Sequence, residues 1–167
     1  QEAMGVVQQA QSLQDPNAQL HQLDQGIQIM KKGFDLSSEQ FLMKGILHGQ
    51  VGALEYQAGS ILMQLKLREE LQHQSIKARQ FQNKANARFK EAKIYLEKAN
   101  AQAWQTKLTR NWHSMAMLAA LQFRAGEKET AIANLKKVKG PGGSDPLYWG
   151  MLTWMLYDNN QQEDGLI

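Results

Sequence analysis

The feature that most constrains the fold is a long stretch, residues 60–125, that contains neither glycine nor proline. Ala, Leu, Gln, Lys and Glu are abundant in it, and these residues have high helix propensity. Glycine and proline are the residues that most often interrupt helices, so their absence over this length favours helix. Runs of alternating β-branched residues are also absent from the sequence, which leaves strands without support. The sequence therefore predicts an all-α protein.

Turn and capping residues mark where the predicted helices begin and end. Gly33 follows the second predicted helix, and residues 140–143 (Gly-Pro-Gly-Gly) are predicted to form a loop. Asp145 before Pro146 is a helix-start signal, because Asp caps the first turn and a proline there loses no hydrogen bond. The first three predicted helices cover residues 2–13, residues 17–32, and a third segment that Ser37 or Ser38 caps and that carries Phe41 to Leu54. The later ones cover 60–100 as one helix or two joined by an unmarked turn, 111–125, 128–139, and a last helix from Pro146, with a loop near 100–109.

Two patterns predict how these helices pack. Gly45, Gly49 and Gly52 recur every three or four residues, a spacing that lets another helix backbone approach closely. Apolar residues in the following segment repeat with a period close to 3.5, which predicts packing against neighbouring helices of the same chain. This apolar seam consists of Ala78, Phe81, Ala85, Phe89, Ala92, Leu96 and Ala99.

A helical pattern recurs near the carboxyl end of the chain at a spacing of 34 residues. Gly126 aligns with Asn160, and Phe123 aligns with Tyr157. A fixed period in this range is typical of stacked helical hairpins, none of which buries its apolar face alone.

Residues from Trp112 onward resemble the tetratricopeptide repeat, in which two antiparallel helices are joined by a glycine turn. Residues 87–167 carry the resemblance, with one good repeat, and Val138 and Gly143 depart from the usual alanine and proline. A preceding segment resembles a second helix, but it lies 39 residues before its counterpart instead of 34. The matching positions are Leu118 and Ala119 in the first helix, Gly126 in the turn, Ala131 and Leu135 in the second helix, Trp149 and Leu152 in the next first helix, and Ala92, Leu96 and Ala99 upstream.

The resemblance implies a right-handed solenoid of helical hairpins, with a helical N-terminal part. It divides the chain into N-terminal helices (1–59), a long basic helical segment (60–110) and a repeat with the start of the next (111–167), which can also form one continuous domain. In the family, first helices line a concave groove that binds a peptide or a partner protein. Carried over by position, the groove residues are His113, Ala116, Ala120, Phe123, Arg124, Leu147, Gly150, Trp154, Tyr157 and Asp158. The residue pattern alone equally allows Phe123, Trp154 and Tyr157 to be buried in the core between repeats.

An uneven charge distribution supports an alternative function. Residues 66–110 carry eleven Lys/Arg against four Asp/Glu, although the net charge of the chain is only +3. Such a segment can bind nucleic acid or an anionic membrane surface, and it can also be an ordinary solvated helix face. The residues that would carry electrostatic binding are Lys77, Arg79, Lys84 and Arg88.

The sequence offers no support for catalysis or for a cofactor. It contains no cysteine, which excludes disulfides and thiolate metal sites. Its four histidines lie far apart, and no catalytic or nucleotide-binding signature occurs. We therefore expect a non-catalytic scaffold that binds another protein or a peptide and holds no metal. We also expect homo-oligomer contacts, because an uncapped repeat leaves apolar surface exposed. The sequence is read as a fragment of a larger protein, cytoplasmic or periplasmic, with a membrane-anchored parent as one option.

Overall fold

A computed structural model describes Gly5 and residues 15–36, 41–106 and 112–159. Over these residues the chain is helical and contains no strand, which confirms the all-α prediction. The predicted helix over 2–13, the serine cap and the positions from Asn160 onward lie outside the described residues, Gly5 excepted. The helices are α1 (Pro16–Leu36), α2 (Phe41–Leu71), α3 (Ser75–Thr106), α4 (Trp112–Arg124), α5 (Lys128–Lys136), α6 (Lys139–Gly142) and α7 (Pro146–Asp158).

The chain divides into two compact units, Gln1–Ala99 and Asn100–Ile167. The boundary between them falls within α3, a single helix that runs to Thr106. The predicted loop near residues 100–109 is therefore wrong for residues 100–106, where alanine and glutamine sustain the helix. Within the described helices, no stretch combines the length and the apolar character that crossing a bilayer would require.

Helix α1 begins at a side-chain cap and ends later than predicted. The Asp15 carboxylate accepts hydrogen bonds from the backbone amides of Asn17 and Ala18, at 3.2 and 3.3 Å. The helix then continues through Gly33 to Leu36, so the predicted end at Gly33 is wrong. A glycine inside a helix costs about 1 kcal/mol relative to alanine. Packing of α1 against α2 opposes that cost, and a Cβ at Gly33 would lie 3.5 Å from Leu47 Cδ1.

Helices α2 and α3 form an antiparallel hairpin with very close contact. A Cβ atom added at Gly52 would lie 2.7 Å from Leu96 Cγ and 3.1 Å from the Leu96 backbone nitrogen. One added at Gly59 would lie 2.6 Å from Phe89 Cε1. Rising numbers on α2 meet falling numbers on α3, which fixes the antiparallel direction. The predicted close approach at the glycine-rich helix is confirmed at Gly52.

The two helices are joined by a three-residue turn that no glycine or proline marks. His73, in the middle of residues 72–74, has a φ of 56°, a conformation that a side chain makes costly. The amide of Gln74 donates to the carbonyl of Glu69 at 2.9 Å, which closes the end of α2. The sequence predicts either one helix over 60–100 or two joined by an unmarked turn. Two helices are present: α2 continues through residue 60, and the unmarked turn lies at residues 72–74.

The core of the first unit lies between α1, α2 and α3. The predicted apolar seam of α3 lines this core, since Ala78, Ala85, Phe89, Ala92 and Leu96 are buried. At one level the Phe34, His48 and Tyr95 rings gather, with centroids 4.8 to 5.9 Å apart. The buried residues of the first two helices include Leu23, Ile27 and Met30 of α1 and Val51, Leu54, Glu55, Ala58, Ile61, Leu62 and Leu65 of α2.

In the second unit, α5 packs against both α4 and α7. Gly126, at a φ of 88°, makes the turn between α4 and α5, a conformation that glycine adopts without strain. The Gln122 carboxamide accepts a hydrogen bond from the Asn134 side chain at 2.9 Å across this hairpin. Tyr148 of α7 is fully buried and donates to the carbonyl of Leu135 at 3.2 Å. Burial raises the pKa of the Tyr148 phenol above its usual range.

The segment before α7 contains a second predicted loop that is partly helical. Residues 139–142 form a single helical turn, α6, in which the Gly142 amide donates to the Val138 carbonyl at 2.9 Å. Pro141 is tolerated because first-turn amides have no partner within a helix. The predicted start of α7 is confirmed, since the Asp145 carboxylate accepts from the Leu147 amide at 2.9 Å and Pro146 is the first helical residue.

The close approach of α2 and α3 can be tested with two glycine-to-alanine variants. We expect Gly52→Ala to lower the free energy of unfolding by about 1–3 kcal/mol, because the new methyl group collides with Leu96. The control is Gly150→Ala in α7, where a Cβ meets nothing within 4 Å, and it should raise that free energy by about 0.5–1 kcal/mol. Urea unfolding measures both. A stabilising effect of Gly52→Ala would contradict the packing described.

Candidate interaction surface

One face of α7 presents large apolar side chains to solvent. Leu147, Gly150, Trp154 and Tyr157 recur at intervals of three and four residues, so they line the same side of the helix. The side chains of Leu147, Trp154 and Tyr157 are 67%, 55% and 65% exposed. The opposite side is core, with Tyr148, Leu152 and Met155 buried. We call the first set the α7 face. It contains four of the ten predicted groove residues.

The two tryptophans of α7 differ in the hydrogen bonding of their indole N–H groups. The Trp149 indole donates to the Gly143 carbonyl at 2.8 Å, and Lys139 Nζ lies 5.4 Å from its ring centroid. Trp149 is thereby held by the turn before its own helix. The Trp154 indole N–H makes no hydrogen bond with any residue that the structure describes. Trp154 thus offers both an apolar ring and a hydrogen-bond donor to a ligand, a combination common at binding hot spots.

Below Trp154, side chains from α4, α5 and α7 meet. The buried Phe123 ring lies 5.0 Å from the Trp154 ring, and Lys128 Nζ lies 5.2 Å from the Phe123 centroid. Lys128 also pairs with the Asp158 carboxylate at 2.7 Å. This ion pair is about half exposed, so its stability contribution is about 0–1 kcal/mol. Its main effect is to hold the end of α7 beside the start of α5.

The structure brings together only some of the predicted groove residues. Phe123, Trp154 and Asp158 form the cluster with Lys128, and Tyr157 lies on the adjoining α7 face. Ala116 is buried, and Ala120 is half-buried. His113 is exposed at the other end of α4, with its ring 4.0 Å from that of Trp112. Arg124 is exposed at the end of α4 beside Phe123.

Lys128 was not among the residues predicted from the sequence. It lies 30 positions before Asp158, which is too far for a local pattern to couple them. The one sequence signal for a role of Lys128 was its positive charge at the first position of a helix. A cation there repels the helix dipole unless a carboxylate is close. That unfavourable position indicates a partner, and Asp158 provides it.

The alternative basic set divides into two kinds of residue. Lys77, Arg79 and Lys84 are exposed on α3. Arg88 instead bonds inward, donating to Glu55 at 3.0 Å and also to Asp24. Glu55 is 2% exposed and also pairs with Lys31 at 3.5 Å. Arg88 therefore joins three helices, while the other three basic residues face solvent.

The charged state of Arg88 follows from these contacts. Partial burial lowers its pKa, but the hydrogen bond and ion pair with Glu55, together with the attraction of Asp24, outweigh that effect. The net result is a pKa raised above the usual range of arginine. The guanidinium is therefore a permanent cation that compensates a buried carboxylate.

The chemistry of the described residues matches no metal centre. No group of three or more His, Asp or Glu side chains in that part of the chain is arranged to hold a metal ion. The absence of catalysis and of a cofactor stays a prediction from the sequence.

The role of Arg88 predicts a large stability effect. We expect Arg88→Met to lower the free energy of unfolding by about 3 kcal/mol, because Glu55 is left buried with only Lys31 nearby. The matched control is Arg79→Met, an exposed site on the same helix, with an expected change below about 0.5 kcal/mol. Adding Glu55→Leu to Arg88→Met should recover most of the loss. Equal effects of the two arginine variants would show that Arg88 is an ordinary surface residue.

Comparisons with protein-family models, with curated proteins and with solved structures found no match for this chain. An assignment of function therefore depends on the surface itself. Its informative features are the exposed α7 face, the unpaired indole of Trp154 among the described residues, and the Phe123, Lys128 and Asp158 cluster beneath it.

Proposed function

We propose that the chain is a non-catalytic interaction scaffold that binds a peptide or a helix of a partner protein through the α7 face. The observation that carries this proposal is the exposure of Leu147, Trp154 and Tyr157 on one side of a helix whose other side is core. Burying such side chains in a complex is favourable by about 1.5–3 kcal/mol each. Tryptophan and tyrosine are also the residues most enriched at binding hot spots.

The proposal includes the finer description of the fold as tetratricopeptide-like. In that description α4 and α5 are one repeat, and α7 is the first helix of the next. Two contacts support it: Tyr148 meets Leu135 and Asp158 meets Lys128, so α7 runs antiparallel to α5. Helices α4 and α7 then run in the same direction, and first helices of such repeats line the groove. Phe123 and Trp154, one from each, are in ring contact.

The expected ligand is apolar with a polar margin. Leu147 and Tyr157 are separated by ten residues, a distance of about 15 Å along the helix axis. That length matches about three turns of a partner helix or an extended segment of four to five residues. The Trp154 indole N–H and the Tyr157 hydroxyl provide donors that an acceptor on the ligand can satisfy. Asp158 and Lys128 lie at the edge, where paired charges contribute to selectivity.

A peptide selection on the intact chain tests the proposal. Peptides selected from a random library should bind the chain with a dissociation constant that rises about thirtyfold or more in Trp154→Ala, as expected for a hot-spot residue. The matched control is Trp149→Ala, which removes an indole from the same helix outside the α7 face. Its affinity should change less than about threefold. Circular dichroism confirms that both variants are folded.

Salt separates this function from the alternative, electrostatic binding through residues 66–110. Apolar contact on the α7 face responds weakly to ionic strength, whereas binding by Lys77, Arg79 and Lys84 weakens steeply. Selected peptides that bind Trp154→Ala and the parent chain equally well would overturn the proposal. Peptide binding that Lys77→Glu with Arg79→Glu abolishes would also overturn it.

A further inference from the structure

The closed end of the α2–α3 hairpin presents three large aliphatic side chains to solvent. Leu67 and Leu71 lie one turn apart near the end of α2, and Ile76 is the second residue of α3. Their side chains are 54%, 83% and 76% exposed. This set belongs to the first unit and shares no residue with the α7 face. Three such side chains at one end of a hairpin mark a surface that gains from burial against a partner.

Basic residues surround these aliphatic side chains. Arg68, Lys77 and Arg79 are exposed and form no ion pair with any residue that the structure describes. Lys66 is different, since it pairs with Glu70 one turn away at 3.1 Å. Residues 66–79 contain four basic and two acidic residues, a net charge of +2. We call Leu67, Leu71, Ile76, Arg68, Lys77 and Arg79 the hairpin tip.

Three backbone amides of the turn are paired within the hairpin. The Gln72 amide donates to the Arg68 carbonyl at 3.2 Å, the His73 amide to Glu70 at 3.0 Å, and the Gln74 amide to Glu69 at 2.9 Å. Unpaired amides and carbonyls at a helix end are costly to remove from water. Because these three amides are already paired, they add less to the cost of moving the tip into a less polar environment.

We propose that the hairpin tip docks on a membrane surface that carries anionic lipid headgroups. Leu67 and Leu71 span about 6 Å along the helix axis, which is comparable to the 5–10 Å depth of the headgroup and acyl boundary. With the aliphatic side chains at that depth, Arg68, Lys77 and Arg79 lie at the level of the lipid phosphates. Apolar insertion and attraction between arginine or lysine and phosphate then act together.

The aliphatic character of the tip distinguishes lipid from nucleic acid. Proteins that bind single-stranded nucleic acid stack bases on exposed aromatic rings beside basic residues. Within the described part of α3, Phe89 is buried, Phe81 and Tyr95 are half-buried, and the tip itself contains no Phe, Tyr or Trp. Leucine and isoleucine instead match acyl chains, and the positive charge matches anionic headgroups.

Vesicle co-sedimentation of the full chain tests this proposal. We expect binding to vesicles of three parts phosphatidylcholine and one part phosphatidylglycerol, and little binding to phosphatidylcholine alone. Leu71→Gln with Ile76→Gln should lower the partition coefficient about tenfold or more, because the inserted apolar area is lost. Lys77→Gln with Arg79→Gln should lower it about fivefold for each charge removed, with a weaker effect at high salt.

Matched controls use exposed residues of the same two helices away from the tip. Ile46→Gln with Ile94→Gln removes two exposed aliphatics, and Lys84→Gln with Lys90→Gln removes two exposed charges. Each control should change the partition coefficient less than twofold. The two isoleucines lie too far along their helices from the tip to insert, and the two lysines lie about 10 Å or more beyond Lys77, where salt screens their charge.

Several results would overturn the proposal. Equal binding to neutral and anionic vesicles, or no binding to either, would do so. The same holds if tip and control variants lose binding equally. A tip variant that retains vesicle binding but loses self-association or oligonucleotide binding would assign the hairpin tip to another partner. Because Trp154→Ala leaves the tip intact, a failure of peptide binding through α7 would leave these outcomes unchanged.

Discussion

The first unit depends on how closely α2 and α3 approach each other. Hydrogen at Gly52 and Gly59 leaves room for Leu96 and Phe89, which would otherwise lie under 3 Å from a Cβ atom. This approach brings the Arg88 guanidinium within 3.0 Å of the Glu55 carboxylate, whose burial requires a cation. It also aligns the small residues Ala78, Ala85 and Ala92 with the interior. A wider spacing would leave a void and an uncompensated charge together.

In the described residues, the side chains that we propose for recognition lie outside both cores. Most of the large apolar side chains that are exposed cluster at two places, the α7 face in one unit and the end of the hairpin in the other; Ile46, Ile94 and Trp149 lie outside these clusters. The strongest buried polar cluster, around Glu55, is fully engaged in joining helices. These exposed surfaces differ in character, since one offers indole and phenol donors and the other offers aliphatic groups among unpaired cations. We therefore associate them with different classes of partner.

Local chemistry explains which parts of the fold could be predicted. Helix propensity, the Asp145–Pro146 start and the Gly126 turn act within a few residues, and the apolar seam of α3 has a clear period. The predicted end of α1 was wrong because packing against α2 tolerates Gly33 inside the helix. The predicted loop over 140–143 was wrong for 140–142 because proline is tolerated in the first turn of a helix. The exposure of Trp154 could not be predicted, since the same spacing fits a core residue. Leu67, Leu71 and Ile76 were missed because a histidine, not a glycine, makes the turn beside them.

The packing of Gly59 against Phe89 can be tested most directly by a double-mutant cycle. Gly59→Ala places a methyl group against the Phe89 ring, and Phe89→Leu replaces that ring with a shorter aliphatic side chain. We expect Gly59→Ala to lower the free energy of unfolding less in the Phe89→Leu background, with a coupling energy of about 1 kcal/mol or more in urea unfolding. Additive effects, within about 0.5 kcal/mol, would show that the glycines do not set the distance between α2 and α3.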